Sequence, residues 1–177
     1  ITTQYQTEIG EDIFVSQQKQ STHLLDILME NMGRVNYGHK LLAESQHKGI
    51  RTGVCKDLHF MLHWKQYPLE LKNPEKIDFT KEWHEKQPAF YAFDVELKAL
   101  KDTYIDLTHF GKGIVFVNGV NIGRFWNVGP TLSLYIPHGL LTIGKNRIII
   151  FETEGKYSEF IHLVHKPTFK TIKGAKL

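Results

Sequence analysis

The dipeptide Asn118-Gly119 limits this chain's folding options more than any other feature. It sits between the apolar run Ile114-Val115-Phe116-Val117 and a second run that opens at Val120. A two-residue type I′ turn needs positive φ at both central positions, and Asn and Gly tolerate it. The spacing therefore predicts a tight antiparallel hairpin. Further short β runs surround it: Leu24-Leu25-Asp26-Ile27-Leu28-Met29, Phe90-Tyr91-Ala92-Phe93-Asp94-Val95, Tyr104-Ile105-Asp106-Leu107, Leu132-Ser133-Leu134-Tyr135-Ile136, Arg147-Ile148-Ile149-Ile150-Phe151 and Phe160-Ile161-His162-Leu163-Val164. Gly144-Lys145-Asn146 reads as another turn. Short strands broken by Gly, Pro, Asn and Asp predict an all-β sandwich or barrel.

Helical periodicity is thin. Residues 44–48 can hold one turn, and Pro137-His138-Gly139-Leu140-Leu141 reads as a short helical turn whose two leucines plug the core. Residues 72–88 are rich in Lys, Glu, Asn and Pro, so a long surface loop is expected, with Phe79 and Trp83 packing down. A boundary between two β units is expected near residues 49 to 53. The residues before it carry only two or three strands, too few for stability alone. They read as half of a domain, with an open apolar edge over residues 24–29.

Composition excludes several function classes. Of 177 residues, 41% are hydrophobic and 23% charged, which fits a globular chain. The 22 basic and 19 acidic residues are intermixed, without the basic stripe of a nucleic-acid binder. The densest basic stretch, residues 166–176, reads as a solvated end. No apolar run approaches the ~20 residues that span a bilayer, so no membrane partner is expected. The start lacks a signal-peptide pattern and an initiator Met, and reads as a piece of something longer. A soluble setting is expected, with the cytoplasm favoured. Cys55 is alone, which excludes an intrachain disulfide. His59 and His63 have the spacing that binds zinc on a helix, but helix character there is weak and no His-Glu-x-x-His is present. No metal and no cofactor is expected. There is neither a phosphate-binding glycine loop nor a Gly-x-Ser-x-Gly elbow.

Three stretches carry a family resemblance. They are Leu25-Asp26-Ile27-Leu28-Met29-Glu30-Asn31-Met32-Gly33-Arg34-Val35-Asn36-Tyr37-Gly38; Trp64-Lys65-Gln66-Tyr67-Pro68-Leu69; and Gly111-Lys112-Gly113-Ile114-Val115-Phe116-Val117-Asn118-Gly119-Val120-Asn121-Ile122-Gly123-Arg124-Phe125-Trp126, closed by Gly129-Pro130-Thr131-Leu132-Ser133-Leu134-Tyr135-Ile136-Pro137. In order and spacing they resemble the non-catalytic half of family-35 β-galactosidases. Phe110, Phe125 and Thr131 depart from that family's usual Trp, Tyr and Gln. The resemblance implies a catalytic TIM barrel elsewhere in the polypeptide, followed by two galactose-binding-domain-like jelly-roll sandwiches. Residues 1–50 would be the C-terminal part of the first and residues 51–177 the second. The implied partners are that barrel, a galactoside acting through the parent enzyme, and a second copy in a homodimer.

The resemblance also implies roles. Tyr37 would lie at the rim of the barrel's pocket, with an apolar ring face and a hydroxyl for galactose. Arg34 and Asn36 would brace its loop. Bottom-up, Tyr37 is equally a turn tyrosine covering a sandwich edge. Arg124 and Trp126 form a candidate sugar platform, or a guanidinium–indole seal at one sandwich end. The acids Glu30, Asp106 and Glu152 lie at or near strand ends, where solvation or pairing is the ordinary reading. The leading expectation is thus a structural module of a β-galactosidase. The rival is an autonomous carbohydrate-binding module with its own galactoside site near Trp126. A third reading, an independent enzyme, lacks the paired carboxylates that retaining hydrolysis needs.

Overall fold

The computed structural model describes residues 24–31, 36–81, 84 and 86–171. They fall into two compact units, drawn from residues 12–69 and from residues 70–177.

The smaller unit holds one hairpin, β1 (Cys55–Lys56) against β2 (His59–Phe60), and a 3₁₀ turn over Glu44–Gln46. Asp57 and Leu58 close the hairpin with φ of 48° and 67°. Residues 24–31 form no strand, which corrects the β reading of that run. An apolar run becomes a strand only when its backbone pairs, and none of the strands described pairs with these residues. The apolar side chains of this run are exposed, with Leu24 at 89% and Leu28 at 46%.

The larger unit is a sandwich. Its four-stranded sheet has the order β3-β8-β5-β6, built from β3 (Ala89–Leu97), β8 (Gly144–Glu152), β5 (Lys112–Val117) and β6 (Val120–Trp126). Its three-stranded sheet has the order β7-β4-β9, built from β7 (Ser133–Ile136), β4 (Thr103–Asp106) and β9 (His162–Val164). All pairings are antiparallel. The Asn-Gly hairpin forms as predicted: Asn118 and Gly119 have φ of 48° and 82°, and Val117 pairs with Val120.

Alternation along the strands builds the core. Tyr91, Val115, Val117, Phe125, Ile148 and Ile150 face inward from the larger sheet. They meet Ile105 and Ile136 from the smaller one, with Leu107 and Phe110 from the loop after β4. The Pro137 stretch forms its 3₁₀ turn at His138–Leu140, with Leu141 buried in the core and Leu140 packed against it. β8 is apolar on both faces, because its outer face is covered as well. Phe90 stacks on Phe151 at 4.3 Å, and Ile149 is 2% exposed opposite buried Phe116. The loop after residue 70 contributes to that cover through Phe79, whose ring centre lies 5.2 Å from the Arg147 guanidinium.

Two strand ends are shorter than the sequence predicts, for a local reason. The Ser158 hydroxyl donates to the Phe160 carbonyl at 2.7 Å and accepts from its N–H at 3.4 Å, so β9 starts only at His162. Leu132 gives its N–H to the Thr168 carbonyl at 2.7 Å rather than to a strand of the sheet. The tail, expected as a solvated end, is therefore partly anchored. The Lys170 N–H also donates to the Pro130 carbonyl at 2.8 Å.

Candidate functional site

The segment that presents Arg124 and Trp126 is set by a β-bulge. Val115 pairs with Gly123 and Phe116 with Asn121, leaving Ile122 as the extra residue. Gly123 takes φ of 129°, and its N–H donates to the Asn121 carboxamide at 2.9 Å. Beyond the bulge, period-two alternation turns Phe125 inward, where it meets Phe110 edge-on at 6.2 Å. Arg124 and Trp126 thereby lie on the outer face. They line an open cleft of about 450 Å³ with Pro130, Thr131, Ser133 and Leu134. The Lys112 ammonium sits 4.9 Å from the centre of the Trp126 ring, over one of its faces.

Tyr37 belongs to the smaller unit, and Arg124 and Trp126 to the larger. Tyr37 is 84% exposed and Asn36 is exposed beside it. Arg34 lies outside the described residues, as does Trp83. Trp64 donates its indole N–H to the Met61 carbonyl at 2.8 Å. His59 lies on a strand and His63 has φ of 62°, so the pair does not share a helical face. Among the described residues, no group of three or more His, Cys, Asp or Glu gathers to hold a metal. No described helix is long and apolar enough to cross a membrane.

The acids at strand ends serve the backbone. Glu152 is fully buried. Its Oε1 accepts from the N–H groups of Gly111 and Lys112 at 3.1 and 3.3 Å, and its Oε2 from those of Glu154 and Lys156 at 3.0 and 2.9 Å. Burial pushes its carboxyl above the usual range, and these four amides offset part of that shift. Asp106 accepts from the Thr108 N–H at 2.9 Å and the Thr168 hydroxyl at 3.3 Å. Glu30 is exposed.

Sequence reasoning missed one cluster. On the outer face of the three-stranded sheet, Tyr104 and Tyr135 are cross-strand partners with ring centres 5.4 Å apart. Asp102 Oδ1 accepts from the His138 N–H at 2.9 Å and lies 2.8 Å from His138 Nδ1. Those contacts, with a hydrogen bond from the Tyr135 hydroxyl, hold the Asp102 carboxyl below its usual range, and the same bond raises the Tyr135 phenol. The available signal was the alternation in Leu134-Tyr135-Ile136, which puts one aromatic outside.

This architecture defines a class: an all-β unit followed by a β-sandwich of the galactose-binding type. The family model described as "Beta-galactosidase, galactose-binding domain" matches residues 88–146, and "Beta-galactosidase, first all-beta domain" matches residues 3–70. Beta-galactosidase 17 of Arabidopsis thaliana is 36% identical over 156 residues, covering 76% of this chain and 22% of that protein. Beta-galactosidase 1 of Dictyostelium discoideum is 39% identical over 140 residues, covering 73% of this chain and 20% of that protein. Bovine Beta-galactosidase is 29% identical over 179 residues, covering 84% and 27%. The chain belongs to the β-galactosidase family, and it spans about a fifth to a quarter of the length of these relatives.

Proposed function

We propose that this chain is a non-catalytic β region of a β-galactosidase, and that the parent enzyme hydrolyses terminal β-galactosides with retention on carboxylates carried by a TIM barrel elsewhere in the polypeptide. The smaller unit docks on that barrel and places Tyr37 at the rim of its pocket, with Arg34 and Asn36 bracing the loop. The larger unit is a sandwich with its own hydrophobic core.

One observation carries this reading. Among the described residues, the buried hydrophobic core lies between Tyr91 and Phe151, with Pro74 the one further fully buried apolar residue, while residues 24–69 expose Leu24, Tyr37, Leu58, Leu62 and Tyr67. An apolar surface on that scale marks an interface. The acids support it from the other side. Retaining hydrolysis needs two carboxyl groups roughly 5–5.5 Å apart flanking a sugar, whereas Glu152 and Asp106 are engaged with backbone amides and threonines.

The test is substitution of Tyr37 in the complete parent enzyme. Tyr37→Ala should raise KM for a β-galactoside about tenfold, about 1.4 kcal/mol of lost binding, with Tyr37→Phe between it and wild type. A KM unchanged in both variants removes Tyr37 from the rim.

A second reading, an autonomous galactoside site, is favoured by the cleft of about 450 Å³ beside Arg124 and Trp126. Calorimetry of the chain and its Trp126→Ala variant against galactose decides it. Binding that disappears in the variant supports this reading.

A further inference from the structure

We infer that the outer face of the three-stranded sheet, centred on Tyr135, is a binding platform for a neutral hexopyranoside, distinct from the Trp126 cleft and independent of the pocket-rim role assigned to Tyr37. Tyr135 is 46% exposed on β7 and faces Tyr104 across the ladder, the two rings inclined at 55°. Val164 continues the same row on β9. An aromatic ring on the water-facing side of a sheet offers an apolar face on which the C–H face of a pyranose stacks.

The rim of this surface is polar and held in place. Asp102 lies before β4, and its carboxylate takes the His138 N–H at 2.9 Å and contacts His138 Nδ1 at 2.8 Å. A carboxylate offers about four acceptor positions. Two are used to fix its own orientation and the His138 ring, which leaves acceptor positions for a ligand hydroxyl. His138 and Asp102 keep 66% and 52% of their side chains exposed, so the rim is open to a ligand. Holding the carboxylate and imidazole before binding lowers the ordering cost on association.

Two features select the occupant. The negative rim disfavours phosphorylated or sulfated ligands and nucleic acid. Two tyrosine rings and one valine form a patch far below the ~1,000 Å² expected of a specific protein interface, while they match one sugar ring.

The test is an amide-resolved NMR titration of the 177-residue chain with methyl β-D-galactopyranoside, with galactose 6-phosphate as the charged comparator. Saturable shifts at residues 102–105 and 134–138 are expected, with Kd on the order of 1 mM for a ligand of that size. Tyr135→Ala should abolish them, Tyr135→Phe and Asp102→Asn should weaken binding about threefold to tenfold, and Trp126→Ala should leave it unchanged. Thermal melts confirm that each variant stays folded, and Tyr135→Phe keeps the ring should Tyr135→Ala unfold. Absence of saturable shifts up to about 100 mM, a hundred times the expected Kd, would overturn the proposal. So would binding lost in Trp126→Ala, binding unchanged in every Tyr135 and Asp102 variant, or tighter binding of the phosphorylated sugar.

Discussion

The carboxamide of Asn118 donates to that of Asn146 at 2.9 Å, tying the β5–β6 hairpin to the start of β8. Asn118 Nδ2 also reaches the Leu140 carbonyl at 2.8 Å, and its Oδ1 accepts the Arg147 N–H at 2.8 Å. Asn146 is 2% exposed. Its Oδ1 takes the Thr142 N–H at 2.8 Å, and its Nδ2 donates to the carbonyls of Thr142 and Gly144 at 2.7 and 3.0 Å. Two turns are thus closed by two asparagines that also hold each other.

Removing the buried member should be severe. Asn146→Ala strands the Thr142 N–H and two carbonyls, and each buried unsatisfied group costs about 1–3 kcal/mol. A loss of about 2–4 kcal/mol in urea denaturation is expected, with Asn118→Gly milder because it keeps the turn conformation. A loss below about 1 kcal/mol for Asn146→Ala would show that these bonds are replaced by water.

Gly113 is required by close packing. A Cβ there would run into the Phe151 carbonyl oxygen across the ladder and come within 3.0 Å of the Phe125 ring. Neither can retreat, since the first is strand backbone and the second is core. Gly113→Ala should destabilise by at least the 1–3 kcal/mol typical of overpacking. An unchanged melting temperature would contradict the described register of β5 against β8.

Glu152 makes stability depend on pH in a defined direction. Its folded-state pKa is raised by burial above the unfolded value, so the folded chain holds the proton more tightly. The stabilising contribution is full below the unfolded pKa and is lost as pH rises through the folded one. Unfolding free energies of wild type and Glu152→Gln, measured from about pH 4 to pH 7, should therefore diverge in favour of wild type toward acid. At neutral pH, Gln turns a donor toward two of the four amides, so the variant should still be less stable, by about 1–3 kcal/mol. A constant difference across the range would show that Glu152 does not titrate as described.

Much of the sandwich could be read from period-two patterns. Asn118-Gly119 specified its turn because few other residues take positive φ, and the Arg147-Ile148-Ile149-Ile150-Phe151 run read as a β strand. Less legible was whatever depends on a partner. Residues 24–29 have strand composition, but composition does not supply the neighbour that a strand needs. Phe160 has it too, yet Ser158 takes its backbone groups. The Cys55–Phe60 hairpin has only two residues per strand and turns through Asp57 and Leu58, which carry no usual hairpin signature. On the candidate site, the outward placement of Trp126 is as its pattern suggests, but the Lys112 ammonium over its ring comes from the cross-strand register. The Asp102–His138–Tyr135 cluster joins residues brought together by topology, beyond the reach of any local motif.

The most direct test is hydrolysis of a chromogenic β-galactoside by the purified 177-residue chain. The account predicts release of chromophore no faster than in buffer, since the proposed function assigns the reacting carboxylates to the parent enzyme's barrel. Turnover that survives purification and is abolished by Glu152→Gln or Asp106→Asn would contradict it.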